Sequence, residues 1–333
     1  MPDKKIAIIG VGGRTGTMFA FELQKAADVL GVGKEIDKIQ KKEFFVERNG
    51  RPLELFEVRT VAESQFPNGF SPEIIFLATK NPVGPPVKYY YQKFKENSSP
   101  LPGLVLSQNG ISAAEDASAA LKEVLGKEAE KVQVIRVSLF NPVEKRLLDN
   151  KICISYFLPI RLSFGVISGN RETKEIKELF EKAEIEATEF LPGEVKNMEF
   201  SKFFTNLIGI PSATRGLSIK EGFKDSEIFK EEIEALREYV KAVRAAKGGF
   251  LNLSKVPVKL LAELIYCLPL PILLFFRKQL GKLIDKGRGG KPKGNLDEID
   301  YYNGEVVKLG KELGVSTPIN EKIIKKVREI LKL

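Results

Sequence analysis

Apolar and polar positions in the first half of the chain alternate between two rhythms. Unbroken apolar runs predict strands buried on both faces: KIAIIG, DVLGVG, PEIIFLATK, GLVLSQNG and VQVIRVSLF. Thr15 to Ala27 reads as a helix, with Met18, Phe19, Phe21, Leu23 and Ala26 as its apolar surface. A short lysine-rich helix is expected around Glu35 to Lys42. FFVERNGRPLELFEV reads as a hairpin with Asn49-Gly50 at its turn. Strands alternating with helices predict a doubly wound parallel sheet. From about Glu194 onward the segments become long, Lys/Glu-rich and helical, and strand signals are few. The expected fold is α/β, with a sheet domain over 1–192 and an all-helical C-terminal domain over 193–333. The boundary is placed at Leu191-Pro192-Gly193.

Length and composition narrow the picture. A chain of 333 residues at 43% apolar and 29% charged exceeds one comfortable core, and it is too apolar to be disordered. The greasiest stretch, Val256 to Phe276, carries Lys259, Glu263, Pro269 and Pro271. Its uncharged part is shorter than the roughly 18–20 residues of a membrane span, so no membrane partner is expected. The N-terminus runs straight into a strand without the pattern of a signal peptide, and a cytoplasmic location is expected. There is no histidine, which excludes a Ser-His-Asp triad and most zinc catalysis, and no metal site is expected. Cys153 and Cys267 sit in apolar runs and read as buried free thiols. Any proton transfer must come from Lys, Asp, Glu, Tyr or water. The net charge of +9 suits anionic small substrates or nucleotides. The basic run Arg277 to Gly294 lacks interleaved aromatics and reads as a solvated loop, so no nucleic-acid partner is expected.

The strongest local signal is Gly10-Val11-Gly12-Gly13-Arg14-Thr15-Gly16, directly after the first strand and opening a helix. That context fits a dinucleotide pyrophosphate: Gly10 for the tight turn, Gly12 for close backbone approach, and the helix N-terminus for its free N–H groups. A Rossmann-type domain follows from it. Thr15 occupies the third-glycine position, so the helix is expected to sit slightly further out. The second strand ends Leu30-Gly31-Val32-Gly33-Lys34-Glu35, with no acid at its own tip. Lys34, with Arg14 beside it, is placed to meet a 2′-phosphate. A lone lysine is more commonly solvated surface.

With these segments in hand, the sequence resembles the ketopantoate reductase (2-dehydropantoate 2-reductase) family over nearly its whole length. The resemblance rests on ATK ending at Lys80, SQNG at Ser107 to Gly110, MEFSKFFTNLIG from Met198, GRGGKP from Gly287, DEIDYYNG from Asp297 and LGVSTPIN near the end. It implies NADPH-dependent reduction of ketopantoate to pantoate, with NADH not excluded, by a Rossmann domain followed by a helical domain. It further implies that Lys202 is the proton donor and that Asn206 contacts substrate. Glu298 would organise cofactor and substrate, while Lys80 lies near both. Asn109, after the GLVLS strand, is an amide suited to bond nicotinamide and substrate. On residue chemistry alone, a ketone needs a hydride and an acid, and a lysine is protonated at pH 7. Lys202 and Asn206 are four residues apart and share a helix face. Flanking FFTNLIG argues that Lys202 faces inward.

Two departures bear on the substrate. Ile210 stands where the family has a second asparagine, four residues beyond the first. The loop before Glu298 is short and lacks the serine that helps bind substrate in the family. Arg288 or Lys293, on a glycine-rich backbone, is expected to replace that contact to the substrate carboxylate. The expected activity is thus an NAD(P)H-dependent 2-oxo-acid reductase. Two readings stay beside ketopantoate: another branched 2-oxo acid, or a nucleotide-binding regulatory protein without catalysis. A homodimer stays open.

Overall fold

The computed structural model describes residues 4–33, 40–49, 51–66, 69–253, 256–286, 294 and 296–332. The chain divides into two compact units, one of residues 1–108 with 112–195 and one of residues 109–111 with 196–333.

Among the described residues the first unit is built on eleven strands: β1 Lys5–Ile9, β2 Asp28–Gly33, β3 Gln40–Arg48, β4 Glu54–Ala62, β5 Ile74–Leu77, β6 Gly103–Leu106, β7 Val134–Leu139, β8 Glu144–Leu148, β9 Lys151–Tyr156, β10 Ile160–Ser168 and β11 Ile185–Glu189. They form one sheet in the order β11-β10-β7-β6-β5-β1-β2-β4-β3-β9-β8. Its centre, β7 through β4, is parallel throughout, which is the doubly wound arrangement expected of a Rossmann-type domain. The helices here are α1 Arg14–Leu23, α2 Gly84–Glu96, α3 Ala113–Leu125 and α4 Lys174–Lys182. Successive residues of β1 feed opposite cores. Ile6 and Ile8 join Met18 and Phe19 of α1 and Phe180 of α4, while Ala7 and Ile9 join Tyr91 and Phe94 of α2 and Leu121 of α3. Burial on both faces explains the unbroken apolar runs of the parallel strands.

Antiparallel pairs flank this parallel centre, β4 with β3, β7 with β10 and β9 with β8, the first of them being the expected hairpin. Three sequence expectations are corrected. The helix expected over Thr15 to Ala27 ends at Leu23, where Ala26 and Ala27 donate to the Leu23 carbonyl and turn the chain onto β2. Of the helix expected at Glu35 to Lys42, residues 34–39 lie outside the described residues and Gln40–Lys42 begin β3. Pairing with β4 wins there, burying Phe44 and Val46 at the strand period of two. Cys153 is a buried free thiol in β9, as expected, but the free thiol of Cys267 is exposed.

The second unit is helical: α5 Val195–Leu207 (its first residue in the other unit), α6 Ile210–Ala213, α7 Ile219–Gly222, α8 Ser226–Ala245, α9 Val258–Cys267, α10 Leu270–Lys286, a 3₁₀ turn Leu296–Tyr301, α11 Asn303–Leu313 and α12 Pro318–Leu331. Helix α8 is its axis, with Tyr239 buried against Phe203 of α5 at 5.2 Å between rings. Carboxylate oxygens of Glu238 accept from the backbone N–H groups of Ile319 (2.8 Å) and Asn320 (3.0 Å), and the Asn320 side chain accepts from Asn303 at 2.8 Å. This buried polar network pins α11 and α12 to α8. No helix among the described residues is long and apolar enough to cross a membrane.

Candidate functional site

The glycine loop joins β1 to α1 at the centre of the sheet, where strand order reverses, the place at which such sheets bind ligands. Gly10 has φ +85°, and a Cβ on it would lie 3.1 Å from the backbone of Ala78 and Thr79. The loop is therefore seated against the segment that leads to Lys80, whose side chain is exposed. Gly13 N–H donates to the Gly10 carbonyl at 2.9 Å, and the Thr17 hydroxyl donates to the Val11 and Gly13 carbonyls at 2.7 and 2.8 Å. Gly16 carries the close contact assigned above to a missing third glycine. A Cβ there would fall 2.2 Å from the Gly10 oxygen, so the helix sits close rather than further out.

The outer face of the loop is bare backbone at Gly12 and Gly13, followed by exposed Arg14 and half-buried Thr15 at the start of α1. First-turn N–H groups have no acceptor within their own helix. Bare backbone over a helix start fits a dinucleotide phosphate. Lys34, expected to meet a 2′-phosphate, lies outside the described residues. The carboxyl edge is braced: Gln108 donates to the Leu77 and Thr79 carbonyls at 2.9 and 3.2 Å, and Arg136, buried, donates to the Leu106 carbonyl at 3.1 Å.

In the helical unit, α5 presents Lys202 and Asn206 one turn apart on a half-buried face. Its other sides are anchored. Tyr239, whose burial pushes its hydroxyl pKa well above the usual range, donates to the Phe200 carbonyl at 2.9 Å. Gly249 N–H donates to the Asn197 side chain at 2.9 Å and Leu251 N–H to the Ser201 hydroxyl at 2.7 Å. Asn206 donates to the Asn109 side-chain oxygen at 3.0 Å, and Asn109 in turn donates to the Tyr302 hydroxyl at 3.1 Å. Lys196 holds the same segment by donating to the Ile111 carbonyl at 2.7 Å. The three groups form a chain of fixed polarity, its amides oriented by their partners.

Glu298 is half-buried in the 3₁₀ turn, at a kink with φ −97° and ψ 19°. Tyr302, mostly buried, was quoted above only as part of a motif. Nothing local marks its role, because its partner Asn109 lies 193 residues away. Ile210 is buried and does not extend the Lys202–Asn206 face. The helix breaks after Leu207, Gly209 takes φ +92°, and its N–H donates to Glu232 at 2.9 Å. Arg288 and Lys293 lie outside the described residues, as does Asn295 of the short loop before Glu298.

The family model described as ketopantoate reductase PanE/ApbA matches residues 6–135, and the model of that family's C-terminal part matches residues 292–331. No curated protein matches the chain. Among solved structures, a D-mandelate dehydrogenase in ternary complex with NADH and anilino(oxo)acetate superposes with a TM-score of 0.69 at 17% identity, covering 98% of this chain and 97% of that one. A 2-dehydropantoate 2-reductase from Geobacter metallireducens GS-15 gives 0.68 at 15% identity, covering 98% and 99%. A dimeric ketopantoate reductase from Staphylococcus aureus gives 0.59 at 17%, covering 98% of each chain. At these identities the superpositions establish the fold. The two family models span the glycine loop, the strands through β6 and the C-terminal helices, and on them the chain belongs to the ketopantoate reductase family of NAD(P)-dependent oxidoreductases acting on CH–OH groups.

Proposed function

We propose that this chain reduces ketopantoate to pantoate with NADPH as hydride donor, with residues 1–192 as the dinucleotide-binding domain and 193–333 as the substrate and dimerisation domain. The observation that carries the reading is the pairing of Lys202 and Asn206 on one face of α5, with Asn206 locked to Asn109. A reduced nicotinamide, when bound, would supply a hydride (one proton with two electrons) to the ketone carbon. Lys202 gives a proton from Nζ to the carbonyl oxygen, so that C=O becomes CH–OH and the lysine is left neutral until solvent reprotonates it. Asn109 and Asn206 orient the substrate, and Glu298 holds substrate and cofactor in register. Gly10 to Thr15 cradle the phosphates, with Lys80 beside them, and Lys34 reads the 2′-phosphate. Arg288 or Lys293 takes the substrate carboxylate.

Replacing Lys202 with Ala is expected to lower kcat by roughly 10²–10⁴-fold while leaving NADPH affinity within a factor of two. Near-wild-type turnover by purified Lys202→Ala overturns the proton-donor assignment. The same titration run with NADH tests the cofactor, since equal or tighter NADH binding removes the NADPH preference. A second reading, reduction of another branched 2-oxo acid, rests on the sequence alone, where Ile210 replaces the family's second asparagine. Turnover across a panel of 2-oxo acids separates the two.

The helical unit also carries an apolar face. Phe275 is 75% exposed, Leu283 69% and Leu260 56%. Other residues of α9 and α10, among them Leu264, Phe276 and Leu280, line a cavity of about 310 Å³ with Phe204 and Leu268. We assign this face to a second copy of the chain, supported by the dimeric Staphylococcus aureus relative.

A further inference from the structure

Strand β8 is the outermost strand of the sheet, and residues 144–147 are exposed. An edge-strand lysine is ordinarily a solvated charge that discourages strand pairing. Lys145 is not placed that way. Its Nζ donates to the Gly12 carbonyl at 2.7 Å, across 133 residues of sequence. The neighbouring strand packs on the same glycine, with Ile152 Cδ1 3.7 Å from where a Gly12 Cβ would stand. The cations beside Lys145 are paired: Arg146 with Glu47 at 2.9 Å and Lys151 with Glu43 at 2.5 Å.

The loop's carbonyls are thereby accounted for. Gly10 accepts from Gly13, Val11 and Gly13 accept from Thr17, and Gly12 accepts from Lys145. What remains on the outer face is N–H groups and a positive charge. An ammonium carries three donors, and the Gly12 carbonyl takes one of them.

We propose that Lys145 is a phosphate ligand of the dinucleotide: held at the second glycine of the loop, its ammonium supplies the positive charge for the pyrophosphate common to NADH and NADPH. The inference rests on the NAD(P)-binding reading of the loop and adds to it a residue from the far edge of the sheet. The pyrophosphate is the natural partner because Gly12 is the position where backbone approaches it, and charge-assisted contacts to phosphate are among the stronger polar interactions.

The test is binding without turnover. Dissociation constants for NADPH, NADH and ADP-ribose are measured on the full chain by nicotinamide fluorescence and calorimetry, across ionic strength. Lys145→Met is expected to weaken all three by about tenfold and to flatten the salt dependence. Lys145→Arg is expected to restore affinity. Lys145→Gln, which keeps a donor for the Gly12 carbonyl without charge, is expected not to. Unchanged affinity in Lys145→Met, rescue by Lys145→Gln, or a loss confined to NADPH overturns the proposal. Failure of the wild-type protein to bind any of the three overturns the cofactor reading itself.

Discussion

Gly12 of the loop and Gly16 in the first turn of α1 lie four residues apart and are glycine for different reasons. A Cβ on Gly16 would meet the Gly10 oxygen, a backbone atom that cannot swing aside, at 2.2 Å. A Cβ on Gly12 would meet only the flexible tip of Ile152 at 3.7 Å. Gly16→Ala is therefore expected to cost stability, on the order of 1–3 kcal/mol, along with cofactor binding. Gly12→Ala should keep the melting temperature and lose affinity, because it fills only the space a phosphate would use. Equal melting temperatures for the two variants would contradict this division. At the substrate end, Arg288→Met and Lys293→Met are expected to raise the KM for the 2-oxo acid in at least one case while cofactor affinity holds. An unchanged KM in both variants leaves those cations as surface charges. The residues legible in the sequence, Gly10 to Thr15, Lys202, Asn206 and Asn109, stand in short local motifs. Tyr302 and Lys145 were not legible as site residues, because each is defined by a contact to a distant part of the chain.

At the scale of elements, sequence period identified most of the parallel strands and the hairpin of β3 and β4. It missed the strand character of residues 40–42, where lysines resemble a helix start but alternate correctly against β4. Strands β8 to β11 were not singled out either. Much of β8 and β11 is exposed and polar, so pairing rather than apolar pattern marks them. Helix α8 shows an element ended by chemistry. Asp225 caps it, its carboxylate accepting from the N–H groups of Glu227 at 2.8 Å and Ile228 at 3.1 Å. These backbone bonds hold the Asp225 pKa below its ordinary value. A depressed folded-state pKa means that the cap's charge contributes stability above the unfolded value of about 4, and that this is lost as pH falls through the lower folded value. Asp225→Ala is expected to melt a few degrees below wild type at pH 7, with the gap narrowing toward pH 2–3. A gap independent of pH would show that the ionised carboxylate is not what caps the helix.

For the whole molecule, the testable consequence is association. Phe275, Leu283 and Leu260 are large apolar side chains left exposed, and burial against a second copy would remove their apolar area from water. Light scattering is expected to give twice the chain mass, and the double variant Phe275→Asp, Leu283→Asp is expected to give the single-chain mass with its helix content retained. A monomeric wild-type protein removes the assignment.

While the family resemblance named Lys202 as the candidate proton donor, the amino-acid order alone was enough for the α/β class, the helical second half and the glycine loop. Each depends on interactions within a few residues: strand period, helix face, backbone freedom at Gly10. Tertiary structure alone decided that β10 and β8 add antiparallel flanks to the sheet, that Gly16 rather than position 15 seats the helix, and that Asn206, Asn109 and Tyr302 form one hydrogen-bonded chain. It also decided that a lysine on the last strand reaches the first loop. Those outcomes turn on which distant groups end within about 3 Å of each other, and short-range pattern carries no record of such distances.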